Sequence, residues 1–211
     1  MFFLAFEGLD GSGKSSLMAR LEEHLSTQQI SFIKTREPGG TLIGDQLREI
    51  ILSKGKEVPS ARTELLLYEA SRAQHVDLII KPALDQKKWV LCDRFTASSI
   101  AFQAGGRQIL DEQVMWLNHF ATDGLKPDLN ILLDLTVEES HKRRQGRIQA
   151  GGDAEDRMES EADEFHERVR SSFLKQAVLC PTEWLVLDAA HSPEQLFKTL
   201  ITELQSRKWL E

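Results

Sequence analysis

The sequence predicts an α/β fold, a five-stranded parallel sheet with helices on both faces. Three observations carry that expectation. Five short apolar runs, at residues 2–6, 30–35, 89–92, 129–135 and 184–187, are continuous rather than alternating, the pattern of strands covered on both faces. Stretches of helical periodicity lie between them, so strand and helix alternate, as a parallel sheet with crossover helices requires. The chain's 211 residues, 41% of them hydrophobic, suffice for the core of one such domain spanning 1–211.

Each element has its own warrant. The run 2–6 leads into a glycine-rich stretch, after which Leu17, Leu21 and Leu25 recur every fourth residue and mark the first helix. The run 30–35 is followed by Leu47, Ile50 and Ile51 at helical spacing. Residues 63–84 read as one long amphipathic helix, which Pro82 should kink or interrupt. After the run 89–92, Val114, Leu117, Phe120 and Ala121 trace another helix. Phe165, Val169 and Phe173 do so between the fourth and fifth strands, and Leu196, Leu200 and Leu204 form the last. Residues 141–161, HKRRQGRIQAGGDAEDRMESE, break the pattern: basic at one end, acidic at the other, with glycines between. That composition suits a mobile surface flap, a lid, better than a core element.

Bulk composition excludes several classes of function. A net charge of −7 argues against a protein that coats nucleic acid or an anionic membrane, and no partner of either kind is expected. The two cysteines, Cys92 and Cys180, lack metal-ligand spacing, and no two of the six histidines lie at helical ligand spacing, so no zinc site is expected. The first apolar run ends at Glu7, too short for a signal peptide or a membrane span. A reduced, soluble, cytoplasmic protein is the expectation.

Chemistry begins at the string Gly8-Leu9-Asp10-Gly11-Ser12-Gly13-Lys14-Ser15, which matches G-x-x-x-x-G-K-S, the nucleotide-binding P-loop. It follows a predicted strand and opens a predicted helix. Its glycines let backbone N–H groups converge on phosphate oxygens, and the helix N-terminus adds a favourable dipole. Lys14 supplies a point charge for the β- and γ-phosphates of ATP, and the Ser15 hydroxyl can ligate Mg²⁺. A guanine-reading N-K-x-D is absent, as is an apolar run ending in Asp-Glu. The third strand ends instead in Asp93-Arg94. The aspartate is placed to hold Mg²⁺ through water, and the arginine to clamp an acceptor phosphate bidentately. That pairing fits a kinase of small molecules.

Four blocks resemble one family in particular, the thymidylate (dTMP) kinases of the nucleoside-monophosphate kinase superfamily. They are EGLDGSGKSS from Glu7, TREPGGT from Thr35, DRFTASSIAFQ from Asp93 and PDLNILLDL from Pro127, and together they cover essentially the whole chain. The resemblance implies phosphorylation of dTMP to dTDP by ATP and Mg²⁺, through direct in-line transfer, in supplying precursors for DNA synthesis. It implies a homodimer. It places Gly8 to Ser15, Ser16 and Arg143 on the donor nucleotide, and Arg94 on the dTMP phosphate. Arg72 would donate to a thymine carbonyl, and Tyr68 would stack on the thymine ring. Ser98, Ser99 and Gln103 would line the base pocket, while Phe102 would crowd the 2′ position of the sugar. Glu37-Pro38 would form a cis-proline turn beneath the acceptor, approached by Arg48.

Asp10 is acidic where some relatives carry a catalytic arginine, which aligns the chain with the bacterial type. The compensating cation would come from the lid, where Arg143, Arg147 and Arg157 are the candidates and Arg147 the first choice. Two other readings of these residues stand beside this one. One is a kinase of the same fold acting on UMP, dUMP or a nucleoside. The other is a non-catalytic P-loop protein that senses ATP.

Overall fold

The computed structural model describes residues 1–211. Five strands, β1 (Phe3–Glu7), β2 (Phe32–Arg36), β3 (Trp89–Asp93), β4 (Leu129–Asp134) and β5 (Trp184–Asp188), form one parallel sheet in the order β2-β3-β1-β4-β5. Every predicted run becomes a strand, displaced by at most two residues at an end. The displacement has a cause. The strands end on polar residues (Glu7, Arg36, Asp93, Asp134 and Asp188) at the carboxyl edge where α/β proteins build their sites; an apolar-run criterion stops short of four of them and at β4 runs one residue past Asp134.

Coverage on both faces holds for the inner strands only. In β1, Phe3 and Ala5 pack on one face and Leu4 and Phe6 on the other, and all four are buried. The expectation fails at β2, where every residue is at least partly exposed, because an edge strand meets helices along only part of its width. Helix α1 (Lys14–Thr27) brings Leu17, Leu21 and Leu25 onto one face, beside Leu196, Leu200 and Leu204 of the C-terminal helix Pro193–Ser206. On the other face Val76, Ile80 and Phe95 cover Phe3, Ala5 and Val90.

Helix α2 (Leu42–Leu52) starts at Thr41, whose side chain accepts from the Gly44 N–H. Next, α3 (Ala61–His75) runs through a π-helical turn, Val76–Ile80, into α4 (Lys81–Asp85). The predicted break at Pro82 is therefore replaced by a change of winding. The Lys81 N–H donates to the Val76 carbonyl, five residues back, and the widened turn accommodates a ring that has no N–H to give. A second π-helical segment, Ile100–Gly106, follows the short α5 (Thr96–Ser99) and was not foreseen. It lies so close to α8 (Asp163–Leu179) that a Cβ on Gly106 would sit 2.4 Å from the Phe165 ring. Only glycine fits there.

Helix α6 (Asp111–Thr122) lies where its periodicity placed it. Helix α7 (Val137–Gln149), capped by Thr136, carries the front half of the expected lid. The expectation of a wholly superficial flap fails for its back half: Arg157, Met158 and Glu159 are buried. Met158 joins an apolar cluster with Phe102 and Phe165, and the Arg157 N–H donates to the Leu52 carbonyl. The last helix, α9 (Pro193–Ser206), begins with a capping box between Ser192 and Gln195. No helix is long and apolar enough to cross a membrane.

Candidate active site

Between β1 and α1 the chain makes a loop whose glycines the geometry demands. Gly8, Gly11 and Gly13 have φ of 130°, 78° and 96°, and a Cβ on Gly8 would lie 2.5 Å from the Leu133 carbonyl oxygen. Lys14 Nζ lies across this loop, donating to the carbonyls of Gly8 at 3.2 Å and Leu9 at 3.1 Å, with the Asp10 carboxylate 4.0 Å away. Burial lowers the Lys14 pKa and Arg94 adds to that, against the opposing charges of Asp93, Asp10 and Glu7. A cavity of about 990 Å³ opens in front, with no apolar residue in its lining. Asp10, Gly11, Gly13, Lys14, Ser15 and Ser16 form one wall; Arg36, Arg48, Arg94, Arg143, Arg144 and Arg147 bring six guanidinium groups to the rest. Gly8 and Leu9 enter the loop through the carbonyls that hold Lys14, and Ser12 Oγ is buried without a hydrogen-bond partner.

Asp93 faces the same cavity from the end of β3, and its Oδ1 is likewise buried without a hydrogen-bond donor. A carboxylate oxygen in that state wants a cation. No group of three or more His, Cys, Asp or Glu is arranged to hold a metal ion. Asp93 with the Ser15 hydroxyl is nevertheless the sparse oxygen set that Mg²⁺ takes when phosphates and waters complete its octahedron.

Arg94 joins this cavity to a second one. Its backbone is left-handed, with φ of 69°. Nη1 donates to the Gly8 carbonyl at 2.9 Å and to Ser98 Oγ at 3.4 Å, and Nη2 donates to Asp10 Oδ1 at 2.8 Å. The guanidinium lies over the Phe102 ring, 5.0 Å from its centroid. That leaves the Nε–H and one Nη2 hydrogen without a protein acceptor. Burial alone would raise the Asp10 carboxyl, but Arg94 and Lys14 prevail and hold it well below the ordinary carboxylate range. Glu7, beneath them, goes the other way: burial pushes it up to about 7, against the pull of Arg94, Ser98 and the Phe95 N–H.

The second cleft is open to solvent, and all ten residues expected around an acceptor line it: Glu37, Pro38, Arg48, Tyr68, Arg72, Arg94, Ser98, Ser99, Phe102 and Gln103. The Glu37-Pro38 peptide is cis, and Arg48 Nη1 donates to the Pro38 carbonyl at 3.1 Å. Burial and the Glu64 carboxylate push the Tyr68 hydroxyl above its ordinary range. Arg72 is more constrained than a base-reading arginine was expected to be. Nε donates to Glu37 at 2.8 Å, and Nη1 reaches Glu69 at 2.6 Å, Asn118 at 2.7 Å and Ser99 at 2.9 Å. Nη2 donates to the Phe95 carbonyl at 3.0 Å, so one Nη2 hydrogen is left for anything in the cleft.

On α7, Arg143 is held by Glu139, the Ala189 carbonyl and, at 3.4 Å, the Gly11 carbonyl. Arg147 makes a two-pronged pair with Glu159 at 3.0 and 2.8 Å, at the rim of the first cavity. Arg157 does not belong with them. It lines neither cavity and turns instead to the Ile51 carbonyl and to Glu64 at 2.8 Å, beside a fully buried carboxylate. Sequence reasoning passed over Arg144, which lines the first cavity while almost wholly buried against Ser140. It passed over Glu7, Glu64 and Asn118 too, whereas the pairing of Arg72 with Glu69 three residues before it follows from helical spacing. The available signal for Glu64 was the same spacing: Glu64, Tyr68 and Arg72 are four apart on one face of α3.

With this geometry in place, comparison with known proteins is direct. The family model described as Thymidylate kinase matches residues 6–200. A thymidylate kinase of Bdellovibrio bacteriovorus is 61% identical over 210 residues, covering 100% of this chain and 98% of that protein. One from Geotalea uraniireducens is 45% identical over 194 residues, 92% of this chain and 91% of the relative. One from Lactobacillus acidophilus is 40% identical over 207 residues, covering 98% and 94%.

Proposed function

The chain belongs to the thymidylate kinase family, and we propose that it makes dTDP by moving the γ-phosphate of ATP directly onto dTMP, with both substrates held in one domain. ATP occupies the polar cavity over the Gly8–Gly13 loop and dTMP the cleft beside it. The observation that carries this reading is Arg94, a single guanidinium lining both cavities with two of its N–H groups unengaged.

The chain's own residues account for the work. Lys14 leaves the Gly8 and Leu9 carbonyls for the β- and γ-phosphates, and the loop N–H groups take the remaining oxygens. Arg94 grips the dTMP phosphate, while Asp10 fixes the guanidinium from the other side. Tyr68 and Phe102 enclose the base and sugar, and Arg72 offers its one remaining hydrogen to a thymine carbonyl. Arg143 and Arg147 on the lid bring positive charge to the transferring phosphoryl group, with Arg147 released from Glu159 as the first candidate. A metal ion accompanies the donor, and we assign it as Mg²⁺, held by Asp93 and Ser15; bound there it neutralises charge on the β- and γ-oxygens. A dTMP phosphate oxygen then attacks in line, without a covalent enzyme intermediate.

We further read the chain as a homodimer. Helices α3 and α6 expose Leu66, Trp116 and Phe120, with the two rings stacked at 5.8 Å, an apolar surface that a second copy would cover. Both cysteines are free, which supports a cytoplasmic setting. The test is ADP release with ATP and Mg²⁺, with dTMP, dUMP, UMP, dCMP or AMP as acceptor. Fast release with dTMP alone or with dTMP first is expected. Faster turnover of another acceptor would favour a different kinase of this fold, and ADP release indifferent to all acceptors would leave only an ATP-binding protein.

A further inference from the structure

Behind the wall of the acceptor cleft stand three buried carboxylates, and each takes a side-chain donor from a wall residue. Glu7 accepts from Ser98 Oγ at 2.6 Å, Glu69 from Ser99 Oγ at 2.9 Å, and Glu64 from Gln103 Nε2 at 2.9 Å. The hydroxyl hydrogens of Ser98 and Ser99 and one amide hydrogen of Gln103 therefore point away from the cleft.

Glu64 leaves least freedom. It is wholly buried on α3 and does not itself line the cleft. Its oxygens also accept from Arg107 Nε and Nη2, at 3.2 and 2.9 Å, and from Arg157 Nη2 at 2.8 Å. Two guanidinium groups hold the carboxylate in place. Gln103 must therefore present its NH₂ to Glu64. Its Oε1 is left toward the cleft, without a partner in the protein. The two ends of an amide have nearly the same shape. A reversed Gln103 would set oxygen against carboxylate, two acceptors in contact at a buried site, which is strongly unfavourable.

Building on the dTMP reading, we infer that Glu64 is a positioning residue for base choice: it locks Gln103 as a hydrogen-bond acceptor toward the N3 edge of the pyrimidine. Thymine and uracil carry an N3–H donor there, whereas cytosine carries a lone pair. Glu64 thus selects 2,4-dioxopyrimidines without touching them. Its partners arrive from the end of the second π-helical segment (Arg107) and from beyond α7 (Arg157), so the polarity of the base pocket depends on residues outside it.

The test uses the full chain, ATP, and three acceptors: dTMP, dCMP, and the 3-deaza analogue of dTMP, which has C–H in place of N3–H and a hydroxyl in place of the 4-oxo group, the same change for wild type and variants alike. The wild type should prefer dTMP over the 3-deaza analogue by roughly 10- to 100-fold in kcat/KM, the worth of one hydrogen bond to a buried acceptor. In Glu64→Gln the new amide keeps its oxygen on the arginines and turns its NH₂ to Gln103, which then reverses. That preference should fall below about threefold, dCMP should gain relative to dTMP, and the KM for ATP should stay put. Gln103→Ala should lose the same preference. Should Glu64→Gln not fold, Glu64→Asp keeps the charge between the arginines and withdraws it from Gln103, and the same loss is expected. An undiminished preference in a folded Glu64 variant overturns the inference, as does a wild type indifferent to N3–H. A wild type that does not phosphorylate dTMP overturns instead the reading on which the inference rests.

Discussion

Arg94→Lys separates charge from shape at the point where the two cavities meet. Three of the five guanidinium hydrogens already face Gly8, Ser98 and Asp10, and the remaining two are what a phosphate would engage. Lysine keeps the positive charge, so Asp10 and Glu7 retain their neighbour, and it tolerates the left-handed backbone at 94 no worse than arginine does. It cannot satisfy Asp10 and also offer two bonds to a phosphate. The variant should therefore lose one charge-assisted hydrogen bond to the acceptor, about 1.5–3 kcal/mol. That corresponds to roughly a 10- to 150-fold fall in kcat/KM for dTMP. Lys14 and the loop hold the donor independently, so the KM for ATP should move by less than about threefold. The assay is ADP release with each substrate varied in turn, beside a thermal melt that certifies the fold. A kcat/KM for dTMP within threefold of wild type would refute this role of the two remaining N–H groups. A KM for ATP rising as far as that for dTMP would mean that Arg94 serves the donor instead.

Three further outcomes are expected. Lys14→Met should lower kcat by roughly a hundredfold or more while the melt barely shifts, since Nζ touches only two loop carbonyls; near-normal kcat would end the P-loop assignment. Glu7 is raised from 4.5 to about 7 on folding, so its stabilising contribution is full below pH 4.5 and is lost as pH climbs through 7, a change of about 3 kcal/mol. Melts of wild type and Glu7→Gln should accordingly diverge between pH 5 and 8, the variant gaining several degrees relative to wild type, and parallel curves would contradict the raised pKa. Arg157→Ala leaves the buried Glu64 short of a partner and should cost about 3–5 kcal/mol of stability, whereas Arg147→Ala removes a half-exposed pair worth under about 1 kcal/mol and should lower kcat by roughly tenfold or more. Melts and kcat measured on both variants check this, and the reverse pattern would mean the lid cations were misassigned.

The parts of this protein legible in its sequence are those where local physics leaves one solution. The Gly8–Gly13 loop is legible because phosphate chemistry demands glycines there, and the inner strands because burial on both faces demands unbroken apolar runs. The acceptor cleft was legible through its blocks: Tyr68 and Arg72, like Ser98, Phe102 and Gln103, sit at fixed spacings on single elements. What escaped were arrangements made by distant partners. Glu64 meets Arg157 across 93 residues, and neither residue type betrays a buried position when read alone. Arg157 accordingly looked like a third lid cation, and Arg72 like a freer one than its five partners permit. The π-helical segments escaped because one extra residue in a turn is invisible to a count of apolar spacings.

One of those segments constrains how this chain can change. The widened turn at Val76–Ile80 adds about a residue to the winding between two stretches with different duties. Before it, Tyr68, Arg72 and His75 face the cleft and the Glu37 turn; after it, Ile80 and Ala83 face the sheet. Removing one residue from the turn would restore regular winding and set the Pro82 ring against the carbonyl one turn before it. Replacing Pro82 alone would free a backbone N–H in a stretch already wound to do without it. Deletion and proline are therefore bound together as a two-step exchange in which either step taken first is penalised, and homologous chains should carry both features or neither.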